Sequence, residues 1–327
     1  MIIPAKYRLT PRISELLSQI EASREIIETV KIHPEIENNI RRQSVLKSSL
    51  FSARIEGNDL TMDELTNPSK TQKKAEVFNI LKAINWLSQR NKKDLSLNDI
   101  LALHKISLEG LVDQAGKFRK EANAIFNADG VAIYMPPPPR YVLSYLNRLV
   151  KYANTGREKF IPIKACLVHY SFEKIHPFID GNGRVGRLLL LKSLGQGDYG
   201  MKGLICIEEY LDQHREGYYQ TLMDNEKEVT DYLEFMLEAI KVAAQSAKEA
   251  VLTKQKADAA DFLLPRRAEI LKIVREHKIV NFDQLRRRFI TVNERTLRYD
   301  LKKLQDAGLI RKLGSTKGVY YQVSKED

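Results

Sequence analysis

Apolar residues recur at intervals of three and four along nearly all of this 327-residue chain. That spacing gathers them on one stripe of an α-helix and scatters them over both faces of a strand. It runs through 12–30, 35–56, 74–90 (Val77, Ile80, Leu81, Ile84 and Leu87), 97–111 and 141–153, then through 163–175, 184–194, 208–223 and 229 to about 252. A body of packed amphipathic helices is expected. Ser96 followed by Asp99 marks the start of one helix and Gly110 a stop. The length suits about two domains. Hydrophobic residues at 43% and charged residues at 29% match ordinary globular chains and exclude collagen-like or disordered ones. Cys166 and Cys206 lie too far apart for a disulfide framework or a zinc spacing, which fits a reducing cytoplasm. With no basic-then-apolar leader and no apolar run approaching about 18 residues, no membrane is expected.

One segment breaks the helical pattern. Residues 124–135 put Asp129-Gly130 between two short apolar runs, which signals a hairpin. Pro136 to Pro139 then end it, because prolines bring no N–H to a ladder and favour an extended chain. The hairpin should project from the helical body as a connector, with a proline-rich ligand for a partner domain as the other reading.

Between two apolar helical runs lies His176-Pro177-Phe178-Ile179-Asp180-Gly181-Asn182-Gly183-Arg184-Val185-Gly186-Arg187. Gly181, Asn182 and Gly183 lead into a helix, so their N–H groups can form an anion nest at its positive end. Arg184 and Arg187, three apart, share one side of that helix and suit phosphate oxygens, which points to a polyphosphate. Asp180 supplies the hard oxygen that Mg²⁺ accepts while bridging phosphates. His176 titrates near neutral pH and can take a proton from an attacking hydroxyl. Phe178 should anchor the loop and Pro177 fix its entry.

These residues resemble the Fic-domain family, whose motif HPFx(D/E)GNGRxxR is matched at every fixed position. The resemblance implies an all-α Fic fold with a small β-hairpin flap, and transfer of AMP from ATP to a Ser, Thr or Tyr hydroxyl of a protein target, or of the chain itself. In that reading His176 is the base and Asp180 holds Mg²⁺. Gly181, Asn182, Gly183 and Arg184 hold the phosphates, and Arg187 reaches the terminal one. Gly116-Lys-Phe-Arg119 with the hairpin resembles the family's flap, Ile133, Tyr134 and Met135 being the strand that pins a target. Tyr218 and Tyr219 fall where tyrosines approach adenine. Adjacent helical residues cannot both face one pocket, so at least one of the pair is core or surface; the resemblance carries Tyr219 and Asn225 forward as the adenine contacts. The loop alone does not distinguish adenosine from other nucleosides.

Upstream, Ser52 and Glu56 are four apart and share a helix face, with Gly57 at the helix exit. Ser52-Ala-Arg-Ile-Glu56-Gly57 resembles the inhibitory [S/T]xxxE[G/N] motif of the same family. A bidentate Glu56–Arg187 pair would deny that arginine to the γ-phosphate. The resemblance also allows Glu56 to orient water for removal of AMP.

From Pro265 onward the chain carries 16 Lys and Arg against 8 Asp and Glu, so a short segment holds most of the +11 net charge. Helices near 266–275, 281–289 and 293–306 precede two short apolar runs, 309–313 and 319–323, around Gly-Ser-Thr-Lys-Gly. Three helices and a two-stranded wing resemble a winged helix-turn-helix (α+β) domain. Arg295, Arg298, Lys302 and Lys303 lie on the would-be recognition helix and Lys317 in the wing, positions suited to DNA phosphates; protein contact or a homodimer is the alternative use. The expected organisation is an N-terminal helical region (1–110) with an inhibitory helix near 44–57, a catalytic core with flap (111–247), a helical linker (248–264) and the basic domain (265–327). A nucleotide-sensing DNA-binding regulator without catalysis is the competing function. The pairing of His176 with Asp180 weighs against it, since a sensor needs neither base nor metal ligand.

Overall fold

Side-chain caps fix where the first helices begin. The Thr10 hydroxyl accepts from the Ile13 N–H to open α1 (Pro11–Thr29). α2 (Pro34–Ile55) runs out onto Gly57, whose φ of 98° lets the chain leave the helix. After α3 (Met62–Thr66), a short turn with no clear periodicity in the sequence, comes α4 (Gln72–Ser88). α5 (Leu97–Ser107) starts at a capping box in which Ser96 and Asp99 bond reciprocally. It stops at Ser107, short of the expected 111. The computed structural model describes residues 1–66, 71–90, 93–126, 132–223, 228–255, 265–290, 292–314 and 319–324.

The hairpin has strands β1 (Ile125–Phe126) and β2 (Ala132–Tyr134), antiparallel with Ile125 opposite Tyr134. Its expected turn, Asp129-Gly130, lies outside the described residues, and Met135 falls just past β2 rather than in it. α6 (Pro139–Ala153) uses the last proline of the run in its first turn, where the missing N–H is no loss. α7 (Ile161–Ile175) and α8 (Asn182–Gln196) follow. Both are buried along nearly their whole length, so their apolar residues occupy all sides instead of one stripe. A 3₁₀ turn at Met201–Gly203 leads to α9 (Ile207–Gln213), α10 (Arg215–Met223) and α11 (Thr230–Gln255). The single helix expected over 208–223 is broken at His214, which leaves helical geometry (φ −119°, ψ 38°). Residues 256–264 of the expected linker lie outside the described residues.

The chain divides into two compact units, Met1–Lys31 with Ile40–Leu252, and Ile32–Asn39 with Thr253–Asp327. Segments 1–110 and 111–247 thus share one unit, apart from Ile32–Asn39. In the second unit α12 (Pro265–His277), α13 (Phe282–Arg288) and α14 (Glu294–Asp306) pack Leu271, Val274, Leu285, Leu297 and Leu301 into one core. The sheet has three strands, not two. β3 (Ile279–Asn281) pairs with β5 (Tyr320–Val323), which also pairs with β4 (Ile310–Leu313), all antiparallel. Asp300 of α14, 1% exposed, accepts from Arg266 and Arg267 of α12. Asp300→Ala leaves both guanidinium groups without that acceptor and is expected to cost this unit about 2 kcal/mol; faster amide exchange in α12 and α14 is the check. Among the described residues no helix is long and apolar enough to cross a membrane.

Candidate active site

The loop between α7 and α8 is set by two left-handed residues, His176 (φ 47°) and Gly181 (φ 80°). A Cβ at Gly181 would also meet Leu108 Cδ1 at 2.6 Å, so glycine is required for both space and conformation. No side chain caps α8, which leaves the N–H groups of its first turn at the positive end of the helix. The Asn182 carboxamide is used inward, bonding both the N–H and the carbonyl of Phe178 at 2.9 Å. Asn182 therefore stitches the loop with its side chain.

Phe178 is fully buried, with its ring stacked on His104 at 3.7 Å and 7°. His104 is a site residue that the sequence did not flag. Its Nδ1 accepts from the Gly116 N–H at 2.7 Å, so Nε2 carries the proton and donates to the Asp180 carbonyl at 2.9 Å. Burial lowers its pKa, which keeps that neutral tautomer at pH 7. Arg119 holds the opposite side of the loop, donating Nε to the His176 carbonyl at 2.7 Å and its backbone N–H to the Pro177 carbonyl at 2.9 Å. Arg119 also donates to the Pro137 carbonyl beyond the hairpin. His104→Phe keeps a ring on Phe178 but deletes both hydrogen bonds. The variant is expected to stay folded with its melting point lowered by a few degrees while its transfer rate falls about tenfold, read by nucleotide labelling beside a melting curve.

His176 Nδ1 faces the Glu173 carbonyl at 3.3 Å, and a carbonyl only accepts, so Nδ1 carries the proton and Nε2 is the basic atom. The near-neutral titration expected of His176 is not found: burial pushes its pKa down to about 4, leaving it neutral and ready to accept a proton at pH 7. Asp180 is half exposed and receives Arg184 Nη2 at 2.9 Å on Oδ1. A cavity of about 440 Å³ opens beside it, lined among others by His104, Asp113, Lys117, Lys120 and Ile179. Among the described residues no group of three or more His, Cys, Asp and Glu could hold a metal. One carboxylate at a cavity fits a Mg²⁺ that arrives with phosphate oxygens and water as its other ligands.

Arg187, 1% exposed, is the buried end of the site. Its Nε donates to the Ser52 hydroxyl at 3.0 Å, and Nη2 donates to the Ser52 carbonyl and to Glu56 Oε1, both at 2.9 Å. The expected bidentate Glu56–Arg187 pair is thus a one-oxygen contact. Ser52, one turn earlier on α2, already occupies the Nε side of the fork, and Nη1 is left without a hydrogen-bond partner. Gly183 permits the approach, since a Cβ there would sit 2.4 Å from Glu56 Oε1.

Residues 94–194 match the Fic/DOC family. The chain carries a Fic domain. Relatives named "Protein adenylyltransferase Fic" include those of Drosophila yakuba, 27% identical over 236 residues (67% of this chain, 45% of the relative), and Drosophila virilis, 27% identical over 212 residues (60% and 41%). The chain spans less than half the length of these curated relatives. Among solved structures, a Fic family protein from Desulfovibrio desulfuricans G20 superposes with a TM-score of 0.69 at 24% identity, covering 99% of both chains. Residues 134–508 of Fic-1 from C. elegans superpose with a TM-score of 0.60 at 20% identity, covering 74% of this chain and 73% of that one.

Around the Fic domain's loop, Glu76 of α4 is a second residue that the sequence did not flag. Its Oε1 receives Arg184 Nη1 at 2.6 Å and its Oε2 receives the Asn58 amide at 2.9 Å, so it joins the end of α2 to the first turn of α8. Glu173 of α7 is buried against Gly186, where a Cβ would lie 1.9 Å from Oε1. Burial raises its pKa to about 8, against the pull of Arg187. The two tyrosines diverge as adjacent helical residues must. Tyr218 is buried with its hydroxyl 3.1 Å from His169 Nε2, whereas Tyr219 is 37% exposed and donates to the Ile55 carbonyl at 3.3 Å. Asn225 lies outside the described residues. Tyr134 of the hairpin donates to the Lys174 carbonyl at 2.8 Å and ties β2 to α7; Ile133 is the middle residue of β2, and Met135 is 74% exposed beyond it.

Proposed function

We propose that this chain transfers AMP from ATP to a Ser, Thr or Tyr hydroxyl of a protein, its own included, and that α2 restrains the transfer. The convergence of His176, Asp180, the uncapped start of α8 and an Arg187 held by Ser52 and Glu56 carries this reading. The names of the adenylyltransferase relatives support the chemistry.

The target hydroxyl oxygen attacks the α-phosphorus, the bond to the β-phosphate breaks, pyrophosphate leaves, and the hydroxyl proton passes to His176 Nε2. N–H groups of Asn182 and Gly183 face the phosphates, Arg184 the phosphate chain, and Arg187 the terminal phosphate once α2 releases it. Tyr219 and Asn225 are assigned to the adenine side. The edge of β2 is assigned to the target, which would add as a strand. Mg²⁺ held by Asp180 would neutralise charge on the α- and β-phosphates. The test is incubation with ATP labelled at the α- or the γ-phosphate. Label on protein from the α position alone supports adenylyl transfer, and label from γ alone overturns it in favour of a kinase-like reaction.

The basic unit supports a further role in DNA binding, as a winged helix. Arg295, Arg298, Lys302 and Lys303 are all exposed on α14, while Leu297, Leu301 and Leu304 face its core. Arg298 also packs over the Phe282 ring at 3.9 Å. Lys317 lies outside the described residues. Duplex affinity that falls steeply with salt supports this role; a salt-insensitive protein contact would mark a homodimer or partner surface instead.

A further inference from the structure

A larger cleft, of about 1130 Å³, lies in the catalytic unit away from the loop. It is walled by α1, α2, α4 and the C-terminal end of α8. Gly195 lines it and Asn182 opens the same helix 13 residues earlier, so cleft and loop are about 20 Å apart along α8. Val45, Leu46, Leu81, Ile84 and Leu191 give it an apolar, half-buried wall. Leu46 and Ile84 are backed by the core cluster of Leu50, Val77 and Ile80, which keeps that wall in place.

The polar side of the cleft is biased in charge. Arg24, Arg41, Arg42 and Lys202 line it against Glu28 and Asp198. Arg24 is already paired with Glu21, which lies outside the lining. Arg42 is exposed and makes no ion pair among the described residues. The rim over residues 198–203 is a strap of unusual backbone. Asp198, Met201 and Lys202 are all left-handed, with φ of 65°, 45° and 55°. Such strain persists where the surroundings over-determine it, and it clusters at ligand clamps. Here Arg41 Nε holds the Lys202 carbonyl at 2.6 Å and the Ser44 hydroxyl holds the Leu204 carbonyl at 2.7 Å, both from α2. An apolar wall beside a surplus of guanidinium groups selects a ligand with an apolar body and an anionic head, and the volume lies just above the usual range of small-molecule sites, with room for such a ligand.

We propose that this cleft binds an amphipathic organic acid, with its apolar body on the α2–α4 wall and its carboxylate at Arg42. Nucleotide transfer uses none of these residues, so the site stands apart from the function proposed above.

The probes are anilinonaphthalene sulfonate, itself an amphipathic anion, and decanoate, with decan-1-ol as the uncharged match. The single tryptophan, Trp86, sits on α4 among the lining residues Asn85 and Leu87, so bound dye should quench it by energy transfer. One saturable dye site is expected, displaced by decanoate and about tenfold less well by decan-1-ol. Arg42→Glu, an exposed change, should weaken decanoate about tenfold. Asn85→Phe, also at an exposed position, should block the mouth and abolish the dye site while melting as wild type does and keeping Trp86 the single tryptophan. No saturable quenching, equal displacement by acid and alcohol, indifference to both variants, or loss of the dye site on concentration-dependent dimerisation would each overturn the proposal.

Discussion

His176→Ala should abolish protein labelling from α-labelled ATP, by about 10² to 10⁴-fold. The imidazole spends Nδ1 on the Glu173 carbonyl and keeps Nε2 as its basic atom, and the two other buried histidines of this unit are not free to replace it. His104 and His169 have their ring nitrogens committed to Gly116, Asp180, Tyr218 and Tyr232. The pH profile follows from burial. A pKa near 4 makes the base neutral above about pH 5, so the rate should stay level from pH 5 to 8 as far as His176 governs it, and fall as pH drops through 4. Retained labelling in His176→Ala would assign proton removal elsewhere. The measurement is cleanest in a background where α2 no longer holds Arg187, because the wild-type rate is expected to be low.

That background is the second large effect. Glu56→Gly removes the carboxylate 2.9 Å from Arg187 Nη2 while Ser52 keeps its own two contacts. A hydrogen bond between two charged partners is worth roughly 1.5–3 kcal/mol, so labelling should rise about 10- to 100-fold. Because Ser52 alone still engages Nε and Nη2, Ser52→Ala combined with Glu56→Gly should release more than either change. Nη1, buried and without a hydrogen-bond partner, can meet a phosphate only after α2 gives way. No gain in the purified Glu56→Gly protein would remove the restraint from the mechanism.

The helices were legible because burial on one side writes a 3.6-residue period into the sequence, and α1, α2, α4, α6 and α11 lie within a few residues of their expected ranges. β3 was not, since Ile279-Val280-Asn281 is too short to show alternation and exists because β5 offers it an edge. The candidate loop stood out because its residues are contiguous in the chain. His104 and Glu76 were not, because their partners Asp180 and Arg184 stand 76 and 108 residues away. A histidine or glutamate on an amphipathic helix carries no local mark of such a role. The bidentate geometry expected for Glu56 failed for a related reason, since residue spacing gives the shared face but not which edge of the fork the serine takes.

The flat stack of His104 on Phe178 also makes the loop observable in solution. A proton held over an aromatic face resonates upfield, so the His104 ring signal should separate from those of the exposed His33 and His277. That line stays shifted only while Phe178 is seated, and Phe178 is joined through Asn182 to the start of α8. One histidine resonance therefore reports, in the intact protein and without any nucleotide, whether the uncapped start of α8 is assembled.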